Sequence, residues 1–123
     1  MNIKPYVKLS KSQNVGYVEF YNPPHNALPA QMLSELTTAI TNAGKDDDIG
    51  IIVLKSGGDR TFCAGANFND LAAISNPEQG QTFFMGFANV INAIRNNPKI
   101  VIGCVQGKAV GGGVGLAAAV DLC

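Results

Sequence analysis

Two short β-branched runs constrain this chain more than anything else in it: IGIIVLKS at residues 49–56 and IVIGCVQ at residues 100–106. Each is too short for a helix and reads as a strand buried on both faces. Each follows a helical pattern and precedes a glycine-bearing segment. Strands that alternate with helices need crossover connections, which gives a largely parallel α/β sheet with chemistry in the loops after the strand C-terminal ends.

The helical patterns have readable limits. YNPPHN breaks the chain, Pro29 stands at a first helical position, and Leu33, Leu36, Ile40 and Ala43 recur at three- and four-residue steps until Gly44, predicting a helix over 29–43. Asn76, Pro77 and Glu78 open a second helix, whose core face is read as Phe83, Phe84, Phe87, Ile91 and Ile94 before Asn96-Asn97-Pro98 ends it. Ahead of both, residues 7–10 and 16–20 form a hairpin around a polar turn at 11–14. SGGDRTFCAGANF reads as a loop, and GKAVGGGVGLAAAVD as a glycine-rich loop entering a small-residue helix. No internal repeat, linker or low-complexity tract is legible.

Composition removes several function classes. A chain of 123 residues suits one domain, and with 46% hydrophobic and 15% charged residues it is too apolar for disorder. Nine basic residues balance nine acidic ones, leaving no positive surplus for a nucleic acid or an anionic membrane. No apolar run approaches the ~18 residues of a membrane span, and the start MNIKPYVKLSKSQ is neither a signal peptide nor an Arg-rich leader, so the expectation is a soluble, cytoplasmic protein. Cys63, Cys104 and Cys123 are odd in number and far apart, which predicts buried reduced thiols and no metal site. From Ile100 to Cys123 only Lys108 and Asp121 are charged, so the apolar ending predicts the front part of a longer protein.

Motif spacing excludes two nucleotide folds. A phosphate loop needs four residues before Gly-Lys and then Ser or Thr, whereas Gly103 leaves three and Ala109 follows Lys108. A dinucleotide fingerprint begun at Gly111 has Leu116 at its sixth place. There is no Gly-x-Ser-x-Gly elbow, and His25, the single histidine, has no nearby Ser or Cys to activate, so its reading is structural or substrate-lining. What remains is FCAGANF and AVGGGVG, each after a buried strand. Glycine lets the backbone approach a ligand, and two main-chain amides, one from each loop, could converge on one oxygen as an oxyanion hole. On spacing alone, glycines that only permit tight strand-to-helix packing fit as well.

At these residues the chain resembles the enoyl-CoA hydratase/isomerase (crotonase) family. The resemblance runs through NPPHNAL, MLSEL, IIVLKS, FCAGANFNDL and IVIGCVQGKAVGGGVGLAAAVDLC, essentially the whole chain. It implies an α/β fold of repeated β-β-α superhelical turns, of the ClpP/crotonase type, with residues 1–123 as its N-terminal part. The family's C-terminal helical region, which assembles trimers or hexamers, is absent from these residues.

The resemblance further implies an acyl-CoA substrate, with coenzyme A as part of the substrate and no separate cofactor. The thioester oxygen would be held by the amides of Ala66 and Gly112. Pro24 and His25 would lie near the CoA moiety, Ala64, Asn67 and Phe68 along the adenine and pantetheine path, and Val110 and Gly111 beside the thioester. Asn67 and Asn69 replace the family's frequent Asp and Lys. Gly115, in the substrate-binding set, stands where two-glutamate hydratases carry their first glutamate, and glycine cannot transfer a proton. Glu35 and Glu78 are read as exposed helix residues, and Asp121 as structural. The resulting expectation is a hydratase or isomerase that stabilises an enolate, inactive as these residues alone; the alternative is a non-catalytic acyl-CoA-binding or scaffold member of the same fold.

Overall fold

The computed structural model describes residues 4–123. Its first unit is a hairpin, β1 (Tyr6–Ser12) and β2 (Val15–Tyr21), paired antiparallel from Tyr6 opposite Tyr21 to Ser12 opposite Val15. The turn is only Gln13 and Asn14, both at positive φ (51° and 72°), the backbone that a two-residue turn needs to match strand twist. The strands therefore run further into the polar segment than sequence patterning predicts.

β3 (Ala27–Leu28) precedes α1 (Ala30–Lys45), after which β4 (Ile51–Ser56) pairs parallel with β2, Val15 opposite Ile51. β5 (Thr61–Cys63), β6 (Gly65–Ala66) and α2 (Phe68–Ala72) follow in quick succession. Then α3 (Pro77–Arg95) crosses back to β7 (Ile100–Cys104), parallel to β4 with Ile51 opposite Ile100. β8 (Lys108–Ala109) and α4 (Gly112–Ala119) complete the element order. The main sheet runs β1-β2-β4-β7, and two small parallel pairs, β3 with β6 and β5 with β8, form beside it. A main-sheet strand, a short strand and a helix recur three times, and successive turns stack on one another.

The helix limits differ from the sequence reading for reasons on the chain. Pro29 is the N-cap of α1 rather than its first residue and has no side-chain acceptor. Asp70 supplies one, its Oδ2 accepting the Ala30 amide at 2.8 Å. At the other end α1 passes Gly44 to Lys45, because side chains from beyond α3 take its last carbonyls: Asn97 Nδ2 donates to Ile40 O (3.0 Å) and Lys99 Nζ to Ala43 O (2.9 Å). For α3 the reading of Asn76 as cap holds, its side chain accepting the Gln79 amide at 2.8 Å. The buried stripe of that helix is Phe83, Phe87, Val90 and Ile94, with Phe84 57% exposed. Phe84 lies about 100° round the helix from Phe83 and cannot share its face.

Val18, Phe20, Ile52, Leu54 and Val101 from the sheet pack with Leu33, Leu36 and Ile40 of α1 and with Phe87, Val90 and Ile94 of α3 in one apolar cluster. Phe20 meets Phe62 edge-on at 5.4 Å between ring centroids. β4 and β7 were expected to be buried on both faces. Instead burial alternates along them, with Ile51 37% and Ile100 52% exposed, so only the helix-covered face is closed among the described residues. The thiols differ too: Cys63 is buried, while Cys104 and Cys123 are exposed.

Candidate functional site

Residues 56–68, which read as a loop, contain two strands. β5 pairs with β8, Thr61 opposite Lys108 and Cys63 opposite Ala109, and β6 pairs with β3, Ala27 opposite Gly65 and Leu28 opposite Ala66. Strands of two or three residues carry too little side-chain pattern to be seen in a sequence window. Their effect is to hold the AGA turn, residues 64–66, against the start of the triple glycine.

Gly65 shows how close the two segments lie. Its φ is +87°, and a Cβ placed there would stand 2.9 Å from Val110 O and 3.3 Å from the amide nitrogen of Gly112. Only glycine serves such a position, since it needs both a left-handed backbone and an empty Cβ site. Gly111 repeats the backbone requirement at φ 56° as the N-cap of α4. Cys63 O accepts the Val110 amide at 3.0 Å and closes the junction.

The amides around Ala66 and Gly112 have internal partners. Ala64 N donates to Asn26 O (3.2 Å), Gly65 N to Cys63 Sγ (3.4 Å) and Asn67 N to Leu28 O (3.2 Å). On α4, Gly113 N donates to Val110 O (2.9 Å) and Val114 N to Gly111 O (3.0 Å). Gly112 is the first residue of that helix, a position whose amide has no acceptor within the helix. Burial pushes the Cys63 thiol up to about 11, so at neutral pH it is protonated and no nucleophile.

The other predicted residues fall around this junction. Pro24 and His25 are exposed on the turn before β3, and His25 Nδ1 lies 3.5 Å from Thr61 Oγ1 of β5. Ala64, Ala66, Asn67 and Gly112 are half-buried, whereas Phe68 is 78% and Val110 54% exposed. Asn67 caps α2, its Oδ1 accepting the Asp70 amide at 3.2 Å, so that oxygen already has a partner. Gly115, half-buried on α4, faces α3: a Cβ there would meet Ile91 Cδ1 at 3.1 Å. Glu35 and Glu78 are exposed on their helices. Asp121 Oδ2 accepts the Val101 amide at 2.8 Å.

Sequence reasoning missed the polar residues that hold this junction, Asn26, Thr61 and Gln106; only Asn26 gave a signal, as part of NPPHNAL. A groove of about 660 Å³ lies elsewhere, between α2 and α3 with Asp70, Ile74, Glu78 and Phe83 in its wall. Neither Ala66 nor Gly112 lines it. No helix among the described residues is long and apolar enough to cross a membrane.

Comparison with known proteins gives a consistent picture. The family described as enoyl-CoA hydratase/isomerase matches residues 10–123. Ethylmalonyl-CoA decarboxylase of Xenopus laevis is 36% identical over 118 residues, which covers 94% of this chain and 39% of that protein. The mitochondrial methylglutaconyl-CoA hydratase of Mus musculus is 35% identical over 97 residues, covering 79% and 31% respectively. The solved structure of Pseudomonas aeruginosa DspI superposes with a TM-score of 0.86 at 27% identity, over 94% of this chain and 47% of that one. The chain therefore spans well under half the length of these curated relatives.

Proposed function

The chain belongs to the enoyl-CoA hydratase/isomerase family and has its crotonase fold, and from that premise we propose that it binds an acyl-CoA thioester and stabilises the derived enolate between the amides of Ala66 and Gly112. The observation that carries this reading is the Gly65 junction, which brings the AGA turn against the Gly112 amide. Two fixed main-chain donors aimed at one oxygen favour the species in which that oxygen is most negative, and a thioester enolate is such a species. Exposed Pro24, His25, Phe68 and Val110 leave an open approach for the CoA portion, and assembly in threes or sixes goes with the family.

Which reaction follows depends on how the enolate is made. Hydration with two carboxylates finds no support at Gly115, which faces Ile91 and cannot move a proton. Isomerisation needs one acid-base group. A second reading, favoured by Gly115 together with the 36% identity to ethylmalonyl-CoA decarboxylase, is decarboxylation of a 2-carboxyacyl thioester. There the bond from Cα to the carboxylate breaks, CO2 leaves, and its electron pair enters the thioester as the enolate; water or an acid then returns a proton to Cα. No base is needed to form the enolate.

The test compares crotonyl-CoA and ethylmalonyl-CoA as substrates of the intact protein and of its Ala66→Pro variant. Proline removes the amide, and loss of one such donor should lower turnover by about 10²- to 10³-fold. A folded Ala66→Pro variant with unchanged turnover removes Ala66 from the site. Tight binding of acyl-CoA with no turnover of either thioester selects the scaffold alternative.

A further inference from the structure

The junction depends on one side chain that the thioester reading does not itself use. Asn26 is 2% exposed and sits at φ 58°, a left-handed conformation that asparagine tolerates better than other residues with a Cβ. Its Nδ2 donates to two carbonyls, Gly57 O and Thr61 O, both at 2.9 Å. Its Oδ1 accepts the Asn22 amide at 2.8 Å, its own amide donates to Asn22 O at 2.7 Å, and its carbonyl accepts the Ala64 amide at 3.2 Å. Those partners fix which way round the side-chain amide lies, since two carbonyls face the nitrogen and an N–H faces the oxygen.

We propose that Asn26 is the positioning residue of the thioester site, setting the Ala66 amide by clamping both ends of β5 to the turn that precedes β3. This rests on the reading of Ala66 as an oxyanion donor. Thr61 begins β5 and Ala64 follows its end, so Asn26 holds the strand on either side. β5 and β6 have three and two residues and few ladder bonds to fix them. A clamp at full burial therefore carries much of their registration. Thr61 O also receives Gln106 Nε2 (3.4 Å), which donates in addition to Ser56 Oγ (2.9 Å), so the second glycine loop is referenced to the same carbonyl. A misplacement of about 1 Å at a donor can cost about 10²-fold in rate.

The experiment uses a chromophoric thioester, para-dimethylaminocinnamoyl-CoA, whose absorption moves to the red when hydrogen bonds polarise its carbonyl. Affinity and red shift are read separately, because affinity comes largely from the remote CoA portion and the shift only from the oxyanion donors. Asn26→Asp keeps shape and the Oδ1 acceptor but turns the donor towards Gly57 O and Thr61 O into an oxygen. It should bind the probe with little change and lose most of the red shift. Asn97→Asp removes the same kind of clamp far from the site, at Ile40 O, and should keep the full shift whatever it does to stability.

A folded Asn26→Asp with the full shift overturns the proposal, as does an equal loss in Asn97→Asp. If Asn26→Asp does not fold, Gln106→Leu releases Thr61 O from its exposed side. A partial loss of shift then supports the proposal, and an unchanged shift overturns it. Unshifted probe bound to the unsubstituted protein is a separate result: it overturns the thioester reading at Ala66, and with it this proposal, before any variant is made.

Discussion

The four-stranded sheet with α1 and α3 and the junction of β5, β6, β8 and α4 are held together by different physics. In the first, a continuous apolar cluster that includes Val18, Leu36, Phe87 and Ile94 fixes the elements, reaching the junction at Phe62, Cys63, Leu116 and Ala119, and hydrogen bonds follow from packing. In the second, strands of two or three residues are registered by single bonds, at Asn26, Thr61 and Gln106, and by a glycine at which no Cβ fits. Non-directional burial builds a scaffold that tolerates error in any one contact. Directional bonds place an amide to within a fraction of an ångström and tolerate little.

That contrast predicts how substitutions divide. Leu36 of α1 is fully buried in the cluster, so Leu36→Ala should cost about 2–5 kcal/mol. Chemical denaturation should show the loss as a lower midpoint, while the fraction that remains folded binds and polarises a CoA thioester normally. If polarisation fell in step, the two regions would not be separable.

Gly65→Ala should act the other way round. Its +87° φ and the 2.9 Å approach to Val110 O put the added methyl against backbone rather than a yielding side chain, at about 1–3 kcal/mol of strain. Relief comes by parting the AGA turn from the Gly112 amide, so the red shift of a bound chromophoric thioester should collapse although stability drops less than in Leu36→Ala. A retained shift would mean that the turn opens without moving the donors.

Legibility in the sequence follows the same division. The hairpin, α1, α3, β4 and β7 were readable because burial imposes a pattern on five to nineteen residues, and Asn76-Pro77 even marks a helix start to the residue. Where that reading erred, at Phe84 and on the open face of Ile51 and Ile100, the residue is apolar but its surroundings are not set by the pattern. β3, β5, β6 and β8 were invisible, since Thr61 and Lys108 pair across forty-six intervening positions in strands too short to show a period. The glycine spacing alone left tight packing and oxyanion binding equally open for Ala66 and Gly112. Family resemblance singled them out, and the close approach at Gly65 brings the two segments together without choosing between those readings. Asn26 was in view within NPPHNAL, but what it holds lies thirty-one to thirty-eight residues away.

A milder probe tests whether the scaffold's polar bonds matter less than the junction's. Asn76→Ala removes the cap of α3 and should cost about 1 kcal/mol, visible as a lower thermal midpoint with no change in thioester polarisation. A larger change in polarisation than in stability would tie the start of α3 to the site.

The smallest effect belongs to the stitch between the hairpin and the end of α1. Asp46 Oδ1 accepts the Asp48 amide at 2.9 Å, and its Oδ2 lies 3.1 Å from Lys11 Nζ. The Asp48 amide first, and then Lys11, hold the Asp46 carboxyl below its ordinary range. A carboxyl lowered on folding adds stability that is fully present above its unfolded value and is lost as the pH falls through the folded one. Asp46→Asn keeps an acceptor for Asp48 and loses the charge facing Lys11. The variant should therefore be slightly less stable than the parent at neutral pH and converge with it in acid below the normal carboxylate range, and added salt should shrink the neutral-pH difference. Solvent screens this pair, whereas the Asn26 clamp is closed to water. If the difference persisted in acid or in high salt, the scaffold would lean on a directional contact after all, and the division between its physics and that of the junction would fail at this point.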